Sequence, residues 1–203
     1  MKNFSLKKFL KEWLGFIIFM TLLLTSRLFL WATVTVEGHS MDPTLANKEM
    51  LLVVKHLPVN RYDIVVAKET DEQGKEKDII KRVVGMPGDT ITYKNDKLYI
   101  NNKETDEPYL ADYLKKFKKD KLQSTYSYNA YFQELAQLAE AFTVNNEGKS
   151  SFTIQVPEGQ YLLLGDDRIV SKDSRAVGTF SKKQIIGEAK FRFWPFNRIG
   201  TIK

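Results

Sequence analysis

Ser40 stands at the bend of Val36-Glu37-Gly38-His39-Ser40-Met41-Asp42-Pro43-Thr44-Leu45. A β-branched run, Thr33 to Val36, enters this stretch, and Pro43 with Thr44 turns the chain away. A small hydroxyl held at a tight bend after a strand is where a nucleophile sits; an ordinary turn has the same composition. The choice between them depends on a base. His39 is adjacent to Ser40, and consecutive residues of extended chain face opposite ways, so it is poorly placed for that task. His56 is the only other histidine, and two are too few for a His-rich metal site. Cysteine is absent, which excludes thiol catalysis, disulfides and Cys-ligated zinc. A hydrolytic serine in this chain would therefore use a lysine.

Such a lysine stands in Ile79-Ile80-Lys81-Arg82-Val83-Val84. Strand alternation puts Lys81 with Ile79 and Val83 on one face, and Arg82 with Ile80 and Val84 on the other. Burying an ammonium disfavours its charge and lowers the lysine pKa from about 10.4, by as much as ~3–5 units when burial is complete. A neutral amine is a competent general base for a serine. An exposed lysine on an edge strand would give the same pattern without the chemistry. A third stretch, Leu164 to Arg175, packs Asp166, Asp167, Asp173, Arg168, Arg175, Ser171 and Ser174 behind an apolar run. This density suits a loop pinned by ion pairs and hydroxyl hydrogen bonds. A calcium loop fits poorly, because the arginines would repel the ion and no bidentate Glu sits at the expected offset.

The elements that must position these residues begin with an anchor. Lys2, Lys7, Lys8 and Lys11 precede the run Trp13 to Trp31, which has Arg27 as its single charge. At ~1.5 Å per residue this run nearly spans a ~30 Å hydrocarbon core. Tryptophans at both ends suit the interfaces, and lysines before the span predict a cytoplasmic N-terminus with the body outside. The apolar run is too long for a cleaved signal peptide and lacks its small-residue cleavage site; it also lacks the polar face of a core helix, so an uncleaved signal anchor is expected. Nine residues separate Trp31 from Ser40, a tether of at most about 30 Å.

Beyond it, short β-type segments recur over 33–36, 50–54, 63–67, 78–84, 90–93 and 97–100. They resume at 152–156, 160–164, 178–180 and 187–194. The expected fold is mainly β: an antiparallel-sheet or small-barrel core with an inserted α+β segment, preceded by one transmembrane helix. The expected division is a basic tail over 1–12, the anchor over 13–31, the core over 32–102 and 156–203, and the insertion over 103–155. Within the insertion, Leu110, Tyr113, Leu114 and Phe117 fall at helical spacing, as do Phe132, Leu135, Ala136, Ala139 and Phe142; both stripes are expected to pack on the sheet. The aromatics Phe191, Phe193, Trp194 and Phe196 are assigned to the core, with the lipid interface as the alternative. The net charge of +6 is spread along the chain with no basic stripe for nucleic acid; it fits a body beside an anionic membrane surface.

In order, the anchor, Gly38-His39-Ser40-Met41-Asp42-Pro43, Arg61 to Val66, Lys81-Arg82-Val83-Val84-Gly85-Met86-Pro87-Gly88-Asp89 and Gly165 to Arg175 closely resemble the type I signal peptidases, in their compact Gram-positive form. The resemblance implies a membrane-bound serine endopeptidase that removes signal peptides from exported preproteins, cutting after small residues, chiefly Ala. It implies Ser40 as nucleophile and Lys81 as neutral general base, with the Ser40 backbone N–H as one oxyanion donor. Ser171 would orient the lysine amine, and the pairs Asp166–Arg82 and Asp173–Arg175 would fix the loops. It implies no cofactor and no metal; the partners would be preprotein signal peptides and the bilayer, and the location the bacterial cell membrane with the body on the outer side. Two departures stand out. Gly38 occupies the position where some members carry an oxyanion serine, and Asp167-Arg168-Ile169-Val170 replaces Asn-Arg followed by Asn or Asp. A self-cleaving Ser-Lys regulator of the repressor type and a non-enzymatic anchored binding domain are the alternatives.

Overall fold

In a computed structural model, residues 6–70 and 73–202 are described. Lys2, in the expected basic tail, lies outside them. Helix α1 (Leu6–Phe29) is continuous, and its Lys11–Phe29 stretch has mean hydropathy 1.5 with none of it buried against the body, long and apolar enough to cross a membrane. The helix stops two residues earlier than the expected span. Trp31 opens strand β1 (Trp31–Thr35) instead, paired in register with Val54. Two bonds from Lys55 take up carbonyls left open where the helix ends: its N–H donates to Leu30 at 2.9 Å and its Nζ to Leu28 at 2.8 Å. The link between anchor and Ser40 is thus largely a hydrogen-bonded strand, not a loose tether.

The body is built on an eight-stranded antiparallel sheet in the order β1-β2-β11-β3-β4-β9-β10, with β12 also on β11. Its further strands are β2 (Met50–Lys55), β3 (Ile64–Thr70), β4 (Glu76–Gly85), β9 (Gln160–Leu164), β10 (Phe180–Ser181), β11 (Ile185–Trp194) and β12 (Gly200–Thr201). Strands β5 (Thr90–Lys94), β6 (Lys97–Ile100), β7 (Lys103–Thr105) and β8 (Ser151–Gln155) form a second antiparallel sheet in the order β7-β6-β5-β8. Two ends of the expected insertion, β7 and β8, therefore belong to this sheet. Strand β4 matters most for the site. It pairs with β3 over Glu76 to Arg82, but with β9 only from Arg82 onward. Lys81 is the last residue before β9 closes over the strand, so the free edge of β4 ends at it.

Helices α2 (Ala111–Asp120) and α3 (Ala130–Leu138) lie between the strands of the second sheet in sequence. Their apolar stripes do not pack on the sheet as expected. Tyr113, Phe117 and Ala136 join Leu110, Leu122, Tyr126 and Phe142 in a core of their own, which takes in Ile169 and Val170. The second stripe is also shorter than its spacing suggests. Asn129 caps α3 through its side chain, and the helix ends at Leu138, leaving Ala139 and Phe142 beyond it. A four-residue helix, α4 (Ser174–Val177), is capped by Asp173. Of the aromatic cluster, Trp194 and Phe196 are exposed rather than in the core, stacked edge to face at 4.8 Å.

Candidate active site

The turn carrying Ser40 is set by what precedes and follows it. Val36 bonds to Glu49 and Lys48 and fixes the end of β1. Gly38 then adopts φ +84°, a left-handed conformation that side chains with a Cβ rarely tolerate. The Gly38 N–H is occupied by Asn47 Oδ1 at 3.1 Å, so this position offers neither a side-chain donor nor a free amide. After Ser40 the chain coils inward, burying Met41 and Leu45 in the main core.

The structure brings Ser40 and Lys81 together: Nζ lies 2.7 Å from Oγ. Lys81 is only 4% exposed, and among the described residues no carboxylate lies within ion-pair distance of it. Burial pulls its pKa down to about 8; Asp173 opposes that fall without reversing it. The amine is therefore neutral in a minority of molecules near physiological pH, a far larger share than for an ordinary lysine. Arg82, one residue on, faces the other way. Its Nε and Nη2 donate to Asp166 Oδ1 and Oδ2 at 2.9 and 2.7 Å, and its Nη1 donates to the Tyr62 carbonyl at 2.9 Å. Thr44 Oγ1 donates to the same Asp166 at 2.5 Å, tying this pair to the Ser40 turn.

The loop after β9 closes the site from behind. Asp173 Oδ2 accepts from the Gly165 N–H at 3.0 Å and from Arg175 at 2.8 Å. Burial pushes the Asp173 carboxyl up, but the Arg175 guanidinium outweighs it and holds the group below its ordinary value. Gly165 has a separate reason to be glycine: a Cβ there would sit 2.2 Å from Ser171 Oγ and 2.4 Å from the Ser40 carbonyl oxygen. Ser171 is thus packed beside the Ser40 backbone, yet its Oγ is buried with no hydrogen-bond partner, so the bond to the lysine amine that the resemblance implied is not formed. A close-packed pocket floor leaves the hydroxyl facing Gly165 instead.

Ser40 and Lys81 share the end of an open groove of about 880 Å³, lined by residues 33–37 on one wall and 76–81 on the other. The groove follows β1 away from the end of the anchor helix toward Ser40. Val36, Met41, Ile79 and Ile80 give it apolar patches within a largely polar lining; Lys68, Glu76 and Lys77 edge its far part. No group of three or more His, Asp or Glu among the described residues could hold a metal ion.

Several supporting contacts carried no sequence signal. Arg168, one of the charges of the pinned loop, is fully buried, with Nη2 2.6 Å from Glu107 and Nη1 donating to Tyr93 at 2.8 Å, which locks the loop to the second sheet. Tyr109 lies under the Arg82 guanidinium at 4.0 Å. Only Gly165, a glycine directly after the apolar run of β9, was readable in advance as a point of close approach.

A family model described as signal peptidase, peptidase S26, matches residues 10–194. Signal peptidase I of Streptococcus pneumoniae is 64% identical over 202 residues, covering 96% of this chain and 98% of its own. Signal peptidase IB of Staphylococcus aureus is 38% identical over 198 residues, covering 95% of this chain and 93% of its own. A crystal structure of a signal peptidase I from Enterococcus faecalis aligns with a TM-score of 0.45 at 28% identity, over 65% of this chain and 97% of that one.

Proposed function

The chain belongs to the S26 signal peptidase family and is a serine endopeptidase that cleaves signal peptides from preproteins; from that premise we propose that Ser40 is its nucleophile and Lys81 its general base. The regulator and binding-domain alternatives have no support beside this membership. The observation that carries the assignment is the 2.7 Å contact between a serine hydroxyl and a buried lysine with no ion-pair partner among the described residues. In its neutral form Lys81 accepts the Ser40 proton as Oγ attacks the scissile carbonyl. The resulting ammonium returns that proton to the leaving amine, which leaves an acyl-enzyme. Lys81, neutral again, then draws a proton from water for deacylation. The Ser40 N–H is the proposed oxyanion donor. Ser171 acts on the ammonium: its unpartnered oxygen is an acceptor that becomes useful only when Lys81 is charged.

The signal peptide would lie extended in the groove between β1 and the free edge of β4, and Val36, Met41 and Ile80 near Ser40 would crowd all but small side chains, chiefly Ala, at the first and third positions before the cut. The apolar helix fits a membrane-anchored protein. We place its basic side in the cytoplasm and the catalytic body outside, where β1 leads the substrate from the bilayer to Ser40.

Replacing Ser40 with Ala, and separately Lys81 with Ala, is expected to abolish preprotein processing by the full-length protein in phospholipid vesicles. Complete processing by either variant overturns the dyad. Protease added outside intact cells is expected to degrade the body; full protection overturns the orientation.

A further inference from the structure

We infer that Asp167, as a neutral carboxylic acid, is a positioning residue that couples the inserted helical segment to the backbone of Ser40. The inference rests on Ser40 being the nucleophile and adds a role for the segment between β7 and β8.

Three bonds meet at Asp167. The Tyr126 hydroxyl, from the inserted segment, donates to Oδ1 at 2.6 Å, and both residues are fully buried. The Asp167 N–H donates to the Ser40 carbonyl at 3.1 Å, and its own carbonyl accepts from the Ser171 N–H at 3.0 Å. One residue thus holds the backbone of the nucleophile and of Ser171 while being held by Tyr126. Ile169 and Val170 reinforce the connection by packing into the core of the inserted helices. Their apolar character, at odds with the polar residues usual at these places in related motifs, follows from that contact.

The other oxygen, Oδ2, is buried with no hydrogen-bond partner. An ionised carboxylate would leave an uncompensated charge there. The groups facing it do not supply compensation. From the Ser40 turn comes Asp42, itself 2.9 Å from His39 Nδ1; from the inserted segment come the hydroxyls of Tyr113, Tyr126 and Tyr128. From its own loop come the backbone N–H groups of Ile169 and Val170, while the Arg168 guanidinium is turned away to Glu107 and Gly165. Burial, with Asp42 adding to it, pushes the Asp167 carboxyl up to about 7 against the pull of Tyr126 and these amides. A neutral acid keeps a carbonyl acceptor for Tyr126 and carries no charge, two features it shares with an asparagine amide. It can serve Tyr126 and keep the loop relaxed; the anion repels Asp42 and strains the bond to Ser40.

The proposed chemistry then needs two groups in opposite states, Lys81 without its proton and Asp167 with its own. Cleavage by the full-length protein in phospholipid vesicles, measured as kcat/KM on a preprotein from about pH 6 to about pH 10, tests this. The wild type is expected to rise and then fall with pH. Asp167→Asn should keep the rate near pH 7 within about threefold and lose the alkaline fall, exceeding the wild type by about tenfold for each pH unit above 7. Asp167→Ala should lose about a hundredfold, and Tyr126→Phe about tenfold in kcat with KM unchanged, each measured where its melting curve shows the protein folded. An unaltered alkaline limb in Asp167→Asn, equal losses in Asp167→Asn and Asp167→Ala at every pH, or a Tyr126→Phe enzyme with wild-type kcat would each overturn the inference. Ser40→Ala separates the two readings. If it cleaves like the wild type, the nucleophile assignment falls; if it is inactive while the Asp167 series is flat, only the role of Asp167 falls.

Discussion

Lys81 and Arg82 are consecutive residues of β4, both cationic and both nearly inaccessible, at 4% and 1% exposure. They sit on opposite faces and have opposite surroundings. Arg82 has a bidentate carboxylate, a backbone carbonyl and an aromatic ring beneath it. Lys81 has a serine hydroxyl and, among the described residues, no direct carboxylate. A guanidinium cannot readily give up its proton, so a buried arginine must be matched by charge; an amine can, so a buried lysine without a match becomes a base. The same strand therefore uses one face to fix the Ser40 turn, through Asp166 and Thr44, and the other to act on it.

The sharpest way to break this contrast is to remove each cation with a side chain of similar length. Lys81→Met is expected to lower kcat/KM by about a thousandfold or more, since a positioned general base is worth up to ~10⁴-fold. It should also stabilise the fold. A lysine pKa brought down to about 8 means that the folded state holds fewer protons than the unfolded chain between there and the ordinary value of 10.5. Stability is therefore withheld below that window and recovered as pH rises through it, by roughly 3 kcal/mol at ~1.36 kcal/mol per unit. Denaturant unfolding at neutral pH reads this directly, and a destabilised Lys81→Met would contradict the uncompensated amine. Arg82→Met should do the reverse, losing roughly 3–5 kcal/mol because Asp166 is left charged and buried.

How much of this could be read from the residues follows from the range of the forces involved. The turn at Ser40, the strand face of Lys81 and the β segments were legible because alternation and turn chemistry are local; that Ser40 meets Lys81, and that Asp166 pairs with Arg82 and Asp173 with Arg175, was implied only by the resemblance of the ordered motifs. The inserted segment was not legible. Its amphipathic stripes showed that α2 and α3 bury a face, but not that they bury it on each other and on Ile169 and Val170. Nothing near Tyr126 in sequence signals that its hydroxyl meets Asp167. Trp194 and Phe196 failed for the opposite reason: Trp194 pairs with Met50 at the exposed end of β2, Phe196 lies past the end of β11, and both end up exposed.

A third test leaves both cations in place and changes only the protons. If Lys81 must be neutral, kcat/KM should fall about tenfold for each pH unit below its pKa, or about a hundredfold over two units. The midpoint expected for that limb is about 8 where Lys81 alone controls it, as in Asp167→Asn, and about one unit lower in the wild type, where Asp167 must keep its proton. A midpoint near 10.5, the ordinary lysine value, would mean that burial does not act on the working amine.

Ser171 gives the smallest expected effect and the finest view of the same contrast. Its buried oxygen has no partner when Lys81 is bonded to Ser40, and an unsatisfied buried hydroxyl costs roughly 1–3 kcal/mol. Ser171→Ala should therefore leave folding stability unchanged or raise it by about 1 kcal/mol. If the hydroxyl accepts a hydrogen bond from the ammonium form of Lys81, the same variant loses about tenfold in kcat, because a charge-assisted hydrogen bond is worth ~1.5–3 kcal/mol. Measured above about pH 9, where the resting amine is neutral, KM should stay unchanged, since the bond then forms only after proton transfer. A variant with wild-type kcat would make Ser171 a packing residue beside Gly165, and one that unfolds more easily would mean that the hydroxyl already has a partner in the resting enzyme. Either result would leave Lys81 to be tuned by burial alone, with Arg82 still held by its partners.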